Sequence, residues 1–345
     1  MTPPNRIVTL CMNPALDIAT SIPLIGPTHK MRCAAPRYHP GGGGINVARV
    51  AHVLGVPATT VFPAGGHSGE AVHDLLMSEG LTMRRVRVGG PTRENFNVNE
   101  ETTDQQYRFV LPGPHLTAAE QTECLAYLRR EVSSASQNPG QNPGQNPGQD
   151  PGQDLGQAVV VASGSLPPGV PLDFYQRVAD LCEELNATLL LDTSGGGLRN
   201  VDSGVFLLKP SARELREYAD RPLNTEAEQV AVALEIVARG IARHVLVSMG
   251  ADGAVLVSEG RAQRFAAVPI PPGGSGVGAG DAMVAGVAVG MIRGWPVEQA
   301  VRLGIAAGSA TLLTPGNATC TRPDTERLFG QTKEPVDVEL APGRP

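Results

Sequence analysis

The sequence predicts an α/β fold: a doubly wound, mostly parallel sheet flanked by helices, with a small β lid beside it. Three observations carry that expectation. Short apolar runs end in Gly, Pro, Asp or Ser, as strands buried on both faces do. Helical patterns separate these runs, and alternating strands and helices build parallel sheets. Two segments, 13–40 and 92–112, break the alternation.

In chain order, RIVTLCM (6–12) opens the sheet. After the irregular, Pro-rich 13–40 come the helix INVARVAHVLG, the strand ATTVFPA (58–64), the helix GEAVHDLLMSEG and the strand MRRVRV (83–88). TRENFNVNEETTDQQYRFVLP (92–112) alternates polar and apolar residues around a polar turn, which is a β-hairpin pattern. With 13–40 it could form a small sheet standing off the main domain, as a lid or an oligomer contact. The helix TAAEQTECLAYLRREV then leads to QNPGQNPGQNPGQDPGQDLGQ (137–157), a four-residue unit running five times. That repeat has no hydrophobic residue except Leu155 and cannot build a core, so it reads as disordered.

The alternation resumes with AVVVASG (158–164), LDFYQRVADLCEEL, TLLLD (188–192), VFLLK (205–209) and TEAEQVAVALEIVARG. HVLVSMG (244–250), GAVLVS (253–258), DAMVAGVAVGMIRG and VEQAVRLGIAAGSATLL complete it. Residues 331–345 are polar and Pro-rich, and a frayed tail is expected there. The organisation expected is one domain over 1–330. In such sheets, sites form at the carboxyl ends of strands.

Composition narrows the function classes. The net charge of -6 excludes a broad nucleic-acid-binding face. No signal-peptide pattern and no apolar run of membrane-spanning length occur, so no membrane partner is expected. The five cysteines are odd in number, widely spaced and free of CxxC, which fits reduced thiols in a cytoplasmic protein. None of the seven histidines has metal-ligand spacing. Lysine occurs only at 30, 209 and 333; base composition accounts for that as well as a need for placed point charges does, and Lys30 and Lys209 are the candidates for the latter.

Two glycine-rich stretches carry the chemistry. In GSGVGAGDAMVAG (274–286), small residues open an apolar helix, and their backbone N–H groups can converge on an anion at its N-terminus. Asp281 stands at the edge of that cavity. It can take a proton from an attacking hydroxyl, and it is equally a good residue near a helix start. A cap needs only one such residue, so the adjoining glycines weigh against capping alone. In PGGGGINVARVAHVLG (40–55), four glycines run into a helix and allow a ligand close to the backbone, with Asn46 in the first turn. Neither the dinucleotide GxGxxG pattern with its acidic residue, nor GxxxxGK[ST], nor GxSxG is present.

Together these stretches resemble the two signatures of the ribokinase/PfkB carbohydrate kinase family: G-G-G-x-N-x-A with Gly55 and Gly65 following, and GAGD with its small-residue helix. The likeness covers residues 6–329. TLCMNPALD, KMRCAAPRYHPGGGGINVAR, FPAGG, TREN, QYRFVLPG and SGSLPPGV look like the minor, PfkB-type 6-phosphofructokinase branch. NPALD is shared with 1-phosphofructokinases and tagatose-6-phosphate kinases, which usually carry Lys where this chain has Gly43.

The resemblance implies a ribokinase-like fold and an ATP-dependent sugar-phosphate kinase acting on fructose 6-phosphate at C1, with the two relatives' substrates as alternatives. A non-catalytic binding regulator on the same fold is the alternative from another class. Asp281 would be the general base, and the N–H groups of Gly278, Ala279 and Gly280 the anion hole. Asp17, Gly42, Gly43 and Asn46 would hold sugar hydroxyls, with Ser163 and Ser165 as further contacts. Lys30, Arg32 and Arg93 would hold the 6-phosphate, one reaching across a homodimer interface made by the lid. Lys209, Ser211, Ser248 and Gly250 would line the nucleotide site, and Glu214 would help order Mg2+.

Two departures bear on cofactors. Ser211 stands where the family motif has Asn. Ser275-Gly276 replaces the Asp-Thr or Ser-Thr found in many relatives, near the family's monovalent-cation site, so activation by K+ stays open. Because implied site residues lie on both sides of 137–157, the repeat reads as an insertion in one kinase domain rather than a divider of two.

Overall fold

The structure is a computed structural model that describes residues 6–27, 30–135, 158–271, 276–314 and 318–340. Ten strands form the main sheet. Seven of them pair in parallel, in the spatial order β5 (Thr82–Arg87), β4 (Ala58–Ala64), β1 (Ile7–Leu10), β8 (Val159–Ser163), β9 (Thr188–Asp192), β10 (Val205–Leu208) and β11 (Ala242–Ser248). β12 (Ala254–Ser258), β13 (Arg261–Phe265) and β14 (Val336–Asp337) then add in antiparallel fashion. Every strand expected from the sequence is present.

Apolar side chains cover both faces of the central strands. In β8, Val159 and Val161 enter one core while Val160 and Ala162 enter the other, as the two-residue period of a strand requires. One face is covered by α1 (Gly43–Val53), α2 (Gly66–Ser78), α8 (Ala279–Ile292), α9 (Val297–Thr311) and α10 (Arg322–Phe329). The other carries α3 (Ala118–Ala135), α4 (Phe174–Glu184), the single turn α5 (Gly196–Arg199), α6 (Ala212–Ala219) and α7 (Glu226–Ala238). This is the doubly wound α/β arrangement that the alternation predicts.

α8 is buried from Ala282 to Met291. A methyl at Gly286 would lie 2.6 Å from Gly304 Cα, so only glycine lets α8 and α9 pack backbone to backbone. That packing fixes the N-terminus of α8 above the carboxyl ends of the strands.

A second, four-stranded sheet has the order β3 (Arg37–Gly41), β2 (Ala15–Ile22), β6 (Arg93–Glu100), β7 (Gln105–Val110). β6 and β7 are the antiparallel hairpin expected over 92–112. β2 and β3 come from 13–40, which looks irregular because its prolines mask the strands. Pro40 sits in β3, an edge strand, where a missing N–H costs no ladder bond.

The described part of the tail, 331–340, corrects the expectation of fraying. β14 extends the sheet, Val338 N–H donates to Ala262 O at 2.8 Å, and Val338 and Leu340 pack on the core. Arg302 Nη2 holds Thr332 O at 3.1 Å. Polar composition hid this because the anchoring is mostly backbone pairing. The repeat at 137–157 lies outside the described residues.

Candidate active site

The site lies where β1 and β8 end and α1 and α8 begin. Asp281 stands in the first turn of α8, after Gly278 in the left-handed region at φ 78°. Its carboxylate does not cap its own helix. Asn46 Nδ2 donates to Oδ2 at 2.9 Å and Ser163 Oγ donates to Oδ1 at 3.2 Å. These bonds come from α1 and the end of β8, so three elements converge on one carboxylate. Burial raises the Asp281 pKa, with the Asn46 bond, the Lys209 charge, the Ser163 bond and the Arg108 charge partly offsetting it. A carboxylate made more basic yet kept hydrogen-bonded suits proton abstraction.

The glycine run packs directly against this group. A methyl at Gly43 would overlap Ser163 Oγ and come within 3.0 Å of Asp281 Oδ1. Gly42 has φ 112°, and a methyl there would approach Cys11 Sγ to 2.5 Å. Asp17 on β2 is buried, and its Oδ1 accepts from Asn95 Nδ2 at 2.8 Å. Asp17, Asn46, Arg49, Val277 and Gly278 line one cavity. Gly278, Ala279 and Gly280 form the opening turn of α8, whose N–H groups lack helical partners by geometry.

The nucleotide-side candidates lie together at the ends of β10 and β11. Lys209 is buried, with Nζ 3.2 Å from Asp192 Oδ1. A methyl on Gly280 would lie 3.7 Å from Lys209 Nζ, so this lysine links the strand ends to the first turn of α8. Burial opposes its charge, but Asp192, Glu214 and Asp281 outweigh that and raise its pKa. Asp192 is pushed up to about 7 by burial, with Lys209 offsetting part of the rise. Ser211 and Ser248 form a bridge between the segments after β10 and β11, and Gly250 opens a single 3-10 turn.

Ser211 caps α6 by accepting from Glu214 N–H, while Glu214 Oε2 accepts from Ser211 N–H and Oγ–H at 2.8 Å each. The substituted serine therefore completes a capping box. Among the described residues no three His, Cys, Asp or Glu side chains form a metal cage. One or two carboxylates near the phosphates is the usual protein share of a Mg2+ site, and Glu214 and Asp192 fit that donor set.

Arg93 opens β6, and its guanidinium donates to Asn13 O at 2.9 Å, Leu111 O at 3.3 Å and Pro14 O at 3.4 Å. Those bonds fix its position and leave two of its five N–H donors for a ligand. Lys30 and Arg32 are exposed and, among the described residues, have no hydrogen-bond or ion-pair partner. The structure thus gathers Asp281, Asn46, Ser163, Gly42, Gly43 and Lys209, and leaves Lys30 and Arg32 outside that network. Sequence reasoning missed Asp192, Asn95 and Arg108. The available signals were the acidic end of TLLLD, the same-face spacing of Arg93 and Asn95, and the cation inside QYRFVLPG.

A buried carboxylate at a glycine-opened helix, near a lysine across the strand ends of a doubly wound sheet, fits a phosphotransferase with an alcohol acceptor. The sequence model of the pfkB family carbohydrate kinases matches residues 11–137 and 149–324, and the chain belongs to that family. It is 54% identical over 333 residues to the ATP-dependent 6-phosphofructokinase isozyme 2 of Mycobacterium tuberculosis (strain ATCC 25618 / H37Rv), covering 96% of this chain and 91% of the relative. It is 32% identical over 306 residues to the 1-phosphofructokinase of Bacillus subtilis (strain 168), covering 88% of this chain and 92% of the relative.

Among solved structures, Escherichia coli phosphofructokinase-2 in complex with potassium superposes with TM-score 0.83 at 35% identity, covering 94% of this chain and 98% of that one. The tetrameric inhibited form of the same enzyme gives TM-score 0.81 at 35% identity, with the same coverage.

Proposed function

We propose that this protein transfers the γ-phosphoryl group of ATP to the C1 hydroxyl of fructose 6-phosphate, giving fructose 1,6-bisphosphate and ADP. The carrying observation is the Asp281 carboxylate, fixed by Asn46 and Ser163 and electrostatically coupled to Lys209. Asp281 accepts the C1 hydroxyl proton as that oxygen attacks the phosphorus in line, and the bond to ADP breaks. The first turn of α8 and Lys209 hold the charge that spreads over the phosphoryl oxygens. Asp17, Gly42 and Gly43 orient the sugar, and Arg93 takes its 6-phosphate. Glu214 and Asp192 would help hold the Mg2+ that accompanies ATP, and that ion would supply charge neutralisation on the phosphates.

ADP release should be measured without sugar, then with fructose 6-phosphate, tagatose 6-phosphate and fructose 1-phosphate. Fastest turnover on fructose 6-phosphate is expected. Preference for either other sugar reassigns the substrate, and tight binding with no turnover favours a regulator. Replacing K+ by Na+ in the same assay tests potassium activation.

The dimer reading rests on the small sheet, where Phe96 and Phe109 are exposed cross-strand partners and Tyr38 is half exposed. Light scattering of Phe109→Asp should report a smaller particle than the parent; an unchanged mass removes this face from the interface. A cytoplasmic location is part of the same reading, in keeping with five free cysteines. No helix among the described residues is long and apolar enough to cross a membrane.

A further inference from the structure

We infer that Asn13 is a positioning residue for the sugar-phosphate subsite, acting through Arg93 and Ser165. This rests on the proposed function, in which Arg93 receives the phosphate. Asn13 follows β1 and is 6% exposed. Its Nδ2 donates to Ser165 Oγ at 3.1 Å, its main-chain O accepts from Arg93 Nη2 at 2.9 Å, and Pro14 O beside it accepts from Arg93 Nε at 3.4 Å. A methyl at Gly113 would overlap Asn13 Oδ1 and lie 3.3 Å from Pro167 Cβ. From the turn after β1, one residue thus touches three other segments: the start of β6, the exit from β7 and the loop after β8.

The amide is a poor choice for packing alone. Asn13 Oδ1 is buried without a donor, and a buried unmet acceptor is destabilising. An apolar side chain would fill the same space without that cost. What Asn13 supplies instead is a fixed link between the guanidinium of Arg93 and the loop carrying Ser163 and Ser165. Ser163 reaches Asp281 directly, so this link sets the distance between the phosphate end of the sugar and the base at its C1 end. Placement errors of that kind fall on substrate binding and alignment.

The test uses the full chain with Asn13→Ala, Ser165→Ala and the double variant. Asn13→Ala removes the bond to Ser165 and leaves the main-chain acceptor of Arg93 present but no longer anchored, so KM for fructose 6-phosphate should rise about 10-fold and KM for ATP stay unchanged. The double variant should be no worse than the poorer single one, since both remove the same link. Parallel rises in both KM values, multiplied effects in the double variant, or no change would overturn the inference while leaving the kinase reading intact. A parent protein silent on every sugar phosphate overturns both together. Should Asn13→Ala not fold, Gly113→Ala disturbs the same contact from the other side and carries the same expectation and the same overturning results.

Discussion

Asp281 Oδ1 and Oδ2 each have a donor from another element, an arrangement that favours the proposed base over a helix cap. Asp281→Asn keeps the shape and removes the proton acceptor. Its kcat should fall by about 10²–10⁴-fold, the worth of a placed general base, with ATP affinity retained; parental kcat in steady-state assays would end the assignment. Burial raises the Asp281 pKa, so the acid limb of kcat/KM should lie above the ordinary carboxylate range. The Lys209 charge lowers that pKa. Lys209→Met should therefore move the acid limb to higher pH. Asp192 loses its cation in that variant and becomes neutral more readily, which offsets part of the move. A limb that stays or moves down in the pH–rate profile contradicts the coupling. Asp281, Asn46 and Gly43 were legible in the sequence because their residue types and spacing form a signature. Asp192 was not, since a carboxylate ending a strand is common and its partner, Lys209, is 17 positions away in sequence.

At the scale of elements, the glycine run is the entry of α1, pressed against the end of β8 and the start of α8. Gly43→Ala should place its methyl on Ser163 Oγ and push Asp281 aside. A shift of about 1 Å at the reacting groups costs about 10²-fold in rate, while the fold should survive with a lower Tm. Thermal melts and kcat together check this, and an active, equally stable variant would mean that the run is not packed as described. The paired α/β units were readable because apolar runs and helical periods are local signals. A small sheet with 13–40 was foreseeable, but β2 and β3 could not be placed within it because prolines and polar residues interrupt them; β2 pairs with β6, a partner far along the chain, and β3 pairs with β2. β13 and β14 escaped similarly: RAQRF carries little apolar signal, and Val336–Asp337 is a strand only because β13 is there to receive it.

For the whole molecule, the question is whether the repeat at 137–157 matters to the site. α3 ends at Ala135 and β8 begins at Val159, and β8 is hydrogen-bonded between β1 and β9 in the middle of the sheet. Asp17, Asn46 and Arg93 come before the repeat and Ser163, Lys209 and Asp281 after it, yet the bond from Asn46 to Asp281 closes directly across that interval. The family match is interrupted between 137 and 149, within the repeat. Closing a connection about five times longer costs only about 1.4 kcal/mol of chain entropy, little beside the burial that holds β8 in the sheet. Deleting 138–156 should leave kcat and both KM values within about two-fold of the parent, as expected for a surface insertion, and should leave Tm unchanged or slightly higher. Kinetics and melting of the deletion variant settle the matter. A loss of turnover with the fold intact would give the repeat a part in the site, and a failure to fold would make it part of the connection that delivers β8 to the sheet.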